Sequence, residues 1–414
     1  MKKTTFLLIY LVCILLTAQA QPQAPEDFTA FANTNHDSMV KAYEHRDLHQ
    51  YHLLLDEFQA HWDKLDSAGK KRYRGYNTDA YYNLACTYAL LNQQKPALDY
   101  LEKSLRAGFT NYMHITHDDD LVSIRKTERF RQLLAPLREI GDNPYILEKA
   151  ARFDSLDHRP LPTFQYESAG DSNLVALRKG FNLDSIAGGG SDVNRVIRLL
   201  HWMHDLIPHD GSHENPAVKN AMSLVAVCKR DHRGLNCRGL AIALNECYLA
   251  LGYHSRYITC LPKDSLGIDN DCHVINMVFI PGLKKWIWID PTNDAYVMNE
   301  KGELLGVEEV RQRLITHQPL IINPDANWNH QSAVVKEDYL YNYMAKNLYR
   351  LECPVSSTYD LETRALGKEC DFVQLLPLDY FKQKPDKTDN DYGKNGRFVN
   401  YKTNNPVLFW AIPN

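Results

Sequence analysis

Several features that mark other function classes are missing from this 414-residue sequence. There is no surplus of positive charge: 47 Lys and Arg stand against 51 Asp and Glu, a formal net charge of -4. Without a broad cationic field, a sequence-independent grip on nucleic acid or anionic lipid has no support. The nine cysteines include no Cys-x-x-Cys pair, which argues against a zinc ribbon or a thioredoxin-type site. No His-Glu-x-x-His motif occurs, so the two-histidine helix of zinc hydrolases is absent. No apolar run reaches the roughly 20 residues that a membrane-spanning helix needs, so no integral span is expected.

What is present begins at the N-terminus. Lys2 and Lys3 precede an apolar stretch from Phe6 to Leu16, and Ala18-Gln19-Ala20 supplies small residues for cleavage. This is the layout of a secretory signal over residues 1–20, with a mature chain from Gln21. Cys13 lies inside the apolar stretch, after Val12, and does not have the surroundings of a lipid-attachment cysteine. Export would open the remaining cysteines to oxidation. Cys353 and Cys370 could be bridged across a short loop, and Cys237 could pair with Cys228 or Cys272.

Residues 21–155 are expected to form a helical domain. Gly and Pro are sparse from Asp37 to Leu137, and amphipathic stretches such as Met39 to Leu65 recur. Within Ala80–Ala107 the pattern Tyr81-x-x-Leu84-Ala85-x-x-Tyr88, a turn at Asn92-Gln93, then Ala97 and Leu101, resembles one tetratricopeptide hairpin. A lone unit cannot bury its own apolar face, so it must lean on neighbouring helices. It would serve as a brace or, in the other reading, as a groove for a protein partner. Asp118–Leu134 reads as a turn and short helix. Pro160 and Pro162 mark a boundary near residues 155–165, Ala187-Gly188-Gly189-Gly190-Ser191 a loop before a helix from Asp192 to Leu206 with Asp192 as N-cap, and Pro324–His330 another break. A second domain is expected over 165–325. Residues 330–414 read as a C-terminal extension, with a short helix at Tyr339–Arg350, a polar Lys- and Asn-rich segment from Lys382 to Asn405 and a strand-like run from Val407 to Ile412.

The chemistry is concentrated in the second domain. Cys237 stands in Asn236-Cys237-Arg238-Gly239, after a turn-prone polar segment. Leu240, Ala243, Leu244, Cys247, Tyr248 and Leu251 then recur at helical spacing up to Gly252. Cys237 therefore sits at a helix N-terminus, outside the buried stripe. There unpaired amides and the helix dipole favour a thiolate, and the same amides can hold an oxyanion. Cys247 lies on the stripe and reads as an inert core thiol. Tyr257–Leu261 and His273–Ile280 read as strands. A Pro281-Gly282 turn returns the chain into Trp286-Ile287-Trp288-Ile289-Asp290, which places Asp290 within a couple of residues of the position opposite His273. A thiol, an imidazole to take its proton and a carboxylate to fix the imidazole tautomer make a nucleophilic triad.

Asn-Cys-Arg-Gly at a helix start, Gly252-Tyr-His-Ser-Arg256, the His273 strand and Trp288-Ile-Asp290-Pro291-Thr292 occur in the order of the transglutaminase-like superfamily, and the resemblance covers Asn194 to Asn293. It implies an α+β protein: a papain-like α/β core with an antiparallel sheet behind the helical region. It also implies Cys237 as nucleophile, His273 as general base and acid, Asp290 as the orienting residue, and Arg256 as a structural arginine. Ile275 departs from the aromatic residue the family often has two places after the histidine. The expected activity is acyl transfer or hydrolysis at an amide in a peptide, glycopeptide or similar substrate, without a cofactor, by an exported bacterial protein, periplasmic or extracellular. The alternative is a non-catalytic binding scaffold on the same fold. His201, His204, His209 and His213 form a further cluster, with His201 and His204 at a spacing that can ligate zinc, but such turns are usually solvated and no metal is expected. His232 and His254 are possible substrate contacts.

Overall fold

The computed structural model describes residues 26–263, 271–380 and 388–413, so the signal segment lies outside the described residues. The chain divides into two units, residues up to 110 with 118–133, and residues 111–117 with 134–414.

The first unit is helical. The expected stretch Met39–Leu65 is not continuous. The helix Glu26–Glu44 ends, Arg46 takes a positive φ of 54°, and Asp47 starts the helix Leu48–Trp62 by accepting a hydrogen bond from the Gln50 amide. The tetratricopeptide-like segment forms a hairpin of helices Arg74–Leu90 and Gln94–Ala107. Asn92 turns the chain at φ 56°, a conformation asparagine tolerates. Ala85 and Ala97 are fully buried, and the rings of Tyr88 and Tyr100 stack at 5.5 Å. Ala80 and Leu84 of the hairpin share a core with Met39, Tyr51, Leu55 and Phe58, so the single hairpin closes its apolar face on the two preceding helices.

In the second unit the main sheet comprises β1 (Ser255–Leu261), β2 (His273–Ile280), β3 (Lys285–Ile289), β4 (Arg350–Pro354), β5 (Glu369–Leu375), β6 (Thr388–Asp391) and β7 (Arg397–Thr403). Their order is β6-β7-β5-β4-β1-β2-β3. All neighbours are antiparallel except β5 and β7, which run parallel. The protein is therefore α+β, with a mixed rather than purely antiparallel sheet. One face packs Val274, Val278, Ile280, Ile287 and Ile289 against the helix Cys237–Ala250. The other packs Ile275, Met277, Trp286 and Trp288 against the helix Val307–Ile315 and Tyr339, Leu340 and Met344. The alternation read from His273–Ile280 is thus the two faces of a doubly covered sheet.

The expected boundaries differ from this arrangement. Residues 330–414 are no extension, because they contribute β4 to β7 to the sheet. The Pro160–Pro162 segment is no free linker either: Leu161 and Phe164 pack on the core, and Asn405 donates to the carbonyls of Ser155 and Asp157. Proline fixes an extended path there, which suits a strap packed on a surface as well as a linker. The Val407–Ile412 run begins as a short helix, Pro406–Phe409, because Asn405 caps the amides of Val407 and Leu408 and Pro406 occupies the first helical position. Likewise Ser191, not Asp192, caps the helix Asp192–Leu206, leaving Asp192 to accept a hydrogen bond from Tyr253.

Candidate active site

The helix Cys237–Ala250 is the scaffold of the site. Asn236 caps it by accepting from the Gly239 amide, and Asn215 in turn donates to Asn236 Oδ1 and accepts from the Asn236 amide. Every residue from Gly239 to Ala250 is buried, so this is a central helix and not the amphipathic one its spacing suggested. A helix held on all sides presents its first turn rigidly, and Cys237 and Arg238 are where it meets solvent through a cleft. Gly234 brings a second segment alongside. A Cβ there would lie 2.4 Å from the Pro208 carbonyl oxygen, and its absence lets residues 208–210 run as a short parallel bridge beside Leu235.

His273 opens β2, and β3 returns with Asn276 opposite Ile289 and Phe279 opposite Trp286. Asp290 follows β3 directly, on the same sheet face as His273. The Nε2–H of His273 donates to Asp290 Oδ2 at 2.7 Å, leaving Nδ1 for Cys237, which lines the same cleft and helps to raise the imidazole. Asp290 is fully buried, and its carboxylate is satisfied several times over: Tyr339 Oη at 2.6 Å, Asn293 Nδ2 at 3.0 Å and the Thr292 amide at 2.9 Å all donate to it. The structure therefore brings Cys237, His273 and Asp290 into one chain of contacts.

The electrostatics follow from these contacts. Burial raises the Cys237 thiol, but hydrogen bonds with His209 and His273 and the charge of His273 outweigh it and bring the thiol down to about 6. Burial disfavours the His273 cation, yet Asp290 and the thiolate raise it to about 10. Burial likewise opposes the Asp290 charge, and His273 with Asn293 and Tyr339 holds it down to about 2. Between these limits the resting form is a thiolate–imidazolium pair, and its two apparent values belong to the pair. Alkylation of Cys237 by iodoacetamide, followed by mass spectrometry, is expected to rise with an acid limb near pH 6, against roughly 8.5 for a free thiol. An enzyme working through this pair would lose ester turnover again near pH 10, where His273 gives up the proton that a leaving group needs. A limb near 8.5 would contradict the pairing.

The cleft has a volume of about 800 Å³. Around Cys237 and His273 it is bounded by His209, Trp328, Val334, Val335, Tyr339 and Tyr343. Sequence reasoning missed Tyr339 and Tyr343. Tyr343 packs edge-on against the His273 ring at 5.4 Å, while Ile275 is fully buried in the core. Both tyrosines lie on a π-helix, Glu337–Met344. Arg256 is fully buried between the rings of Phe164 and Trp286, 3.9 and 4.8 Å from their centroids.

The four histidines of the further cluster do not converge. His204 is occupied at both nitrogens, by the Pro291 carbonyl and Asn327 Oδ1, each at 3.0 Å. His213 is exposed and bonded to Asp210. His201 pairs with Asp294 at 2.7 Å, and the donor atoms of His201, Asp294 and Asp325 lie within 4.8 Å of one another. Only His209 reaches the cleft. His254 packs against Tyr166 at a separate cavity, and His232 caps the helix Ala221–Asp231. All eight cysteines of the described residues are free thiols. Cys353 and Cys370 belong to the cores on opposite faces of the sheet, which is why no bridge forms.

Residues 180–291 match the family model of the transglutaminase-like superfamily. This segment is a transglutaminase-like domain. Sixty residues of the chain are 40% identical to a chloroplast protein of Arabidopsis thaliana, a match over 14% of this chain and 18% of that protein, so the chain spans under a fifth of the relative. A crystal structure of a candidate cysteine protease from Cytophaga hutchinsonii is similar at 16% identity and a TM-score of 0.23, over 32% of this chain and 46% of that one. That overlap is too slight to bear on activity. The transglutaminase-like domain contains Cys237, His273 and Asp290, while Trp328, Tyr339 and Tyr343 come from beyond it.

Proposed function

We propose that the protein is an exported cysteine enzyme that cleaves an amide in a peptide or glycopeptide. The reading rests on Cys237 and His273 meeting in one open cleft, with His273 bonded to the buried Asp290. The Cys237 thiolate attacks the amide carbonyl, His273 passes its proton to the departing amine, and a thioester remains on Cys237. Water activated by the now neutral His273 releases the acyl group. Hydrolysis is favoured over crosslinking because an amine competes with bulk water only if a dedicated acceptor site holds it. A cleft of about 800 Å³ walled by Trp328, Val334, Val335 and Tyr343 has room for several residues of an extended chain. Export is proposed from residues 1–20 alone.

The test is labelling with an acyl-trapping electrophile, located by peptide mass spectrometry. Modification of Cys237 is expected, with none at the buried Cys247 or Cys260 and none at the site in Cys237→Ala. Labelling elsewhere, or no labelling of a folded sample, would sink the proposal.

A further inference from the structure

The triad leaves His209 unused, although it lines the same cleft as Cys237 and helps to lower the thiol. We infer that His209 is a catalytic residue: its Nε2–H, with the Cys237 amide, binds the oxyanion formed when the thiolate adds to a carbonyl. The inference rests on the acyl-transfer reading above and adds a residue to it.

Trp328 fixes the tautomer of His209. Trp328 Nε1 lies 3.3 Å from His209 Nδ1. An indole N–H can only donate, so Nδ1 must accept and the single proton of a neutral imidazole must sit on Nε2. Nδ1 is thereby occupied, and the nitrogen left to face Cys237 is a donor. His209 therefore cannot serve as a second base, and its task is to deliver a hydrogen bond. Its backbone is fixed on both sides: its amide donates to Asn329 Oδ1 at 2.7 Å, Asn329 Nδ2 donates back to its carbonyl at 2.9 Å, and the bridge to Leu235 sets it two residues from the nucleophile. Cys237 is the first residue of its helix, so its amide has no acceptor within the helix. His209 and the Cys237 amide thus offer two donors from separate segments at the cleft that both residues line, which is what a developing oxyanion needs.

In the step concerned, the C–S bond forms as the carbonyl π pair moves onto oxygen. The anion is held by His209 Nε2–H and the Cys237 amide until the pair returns and the leaving group departs.

The experiment compares two reactions of Cys237. Acetylation by p-nitrophenyl acetate passes through an oxyanion and releases p-nitrophenolate. Alkylation by iodoacetamide displaces iodide at a saturated carbon and has none. Both are followed on the full mature chain at their high-pH plateau, where ionisation of the thiol no longer limits the rate. His209→Ala is expected to lower the acetylation plateau roughly 10²- to 10³-fold and leave the alkylation plateau within a few-fold. His209→Gln, which keeps a side-chain N–H donor, should recover a substantial part. Trp328→Phe, which frees Nδ1 and so the tautomer, should cost less than the loss of the imidazole. Equal acetylation by wild type and His209→Ala, or an equal collapse of both plateaus, overturns the assignment while leaving the nucleophile in place. Failure of the wild type to be acetylated at Cys237 overturns the parent reading and this one together.

Discussion

Asp290→Asn is expected to slow acetylation of Cys237 by roughly 10³- to 10⁴-fold, the scale seen when an orienting carboxylate is removed from a nucleophile–histidine–carboxylate site. The side chain keeps its shape but loses its charge and half its acceptor capacity. In the wild type one carboxylate takes hydrogen bonds from His273, Tyr339, Asn293 and the Thr292 amide. An amide placed there must turn its NH₂ toward either the Thr292 N–H or the other three donors, so one buried donor–donor conflict follows in either orientation. Without the negative charge the His273 cation loses its main support. The thiolate–imidazolium pair then gives way to neutral groups, and the acid limb of alkylation moves up from about 6. Stopped-flow acetylation, with circular dichroism to confirm the fold, measures this. A fall of less than about tenfold would mean that Asp290 does not orient His273 for the reaction.

The parts of this site that were legible in the sequence are those fixed by local chemistry. Asn236 before Cys237 and Gly252 after the stripe bound a helix, and Gly252 does take a positive φ of 86°. Pro281-Gly282 closes a hairpin with so short a connection that its register is nearly determined, and Asp290 falls beside His273 as a result. What was not legible depends on distant pairings. Tyr339 and Tyr343 read only as part of a short helix, because nothing local says that this turn packs over a histidine 70 residues earlier. His209 was one of four histidines without distinction until a parallel bridge set it beside the nucleophile and Trp328 fixed its proton. The tail read as an appendage because its strands are short and polar on one side, and because their partners come from β1 and from each other. Such pairings of high sequence separation leave no mark in a local window.

A different kind of dependence on the tail predicts the largest stability effect. Glu362, on the connection between β4 and β5, is almost fully buried. It accepts from Arg238 at 2.7–2.9 Å and from the Tyr257 hydroxyl at 2.7 Å. Arg238 follows Cys237 directly and also donates to Thr259 Oγ1 at 3.0 Å. Glu362→Ala would leave the buried Tyr257 hydroxyl, and a guanidinium that is itself only partly buried, without their shared acceptor. Breaking a fully buried pair from one side typically costs about 3–5 kcal/mol; because Arg238 keeps partial access to water, denaturant unfolding followed by tryptophan fluorescence should record a loss of about 2–3 kcal/mol. Glu362→Gln keeps an acceptor for Tyr257 but not the charge, and should fall between. Activity below the unfolding range should drop far less than in Asp290→Asn, because Arg238 bonds to Glu362 and Thr259 and steadies the first helical turn, whereas Asp290 bonds directly to His273. A stability loss under about 1 kcal/mol would mean that water reaches Arg238 once the carboxylate is gone. The loop would then be a cover for the helix and not its anchor.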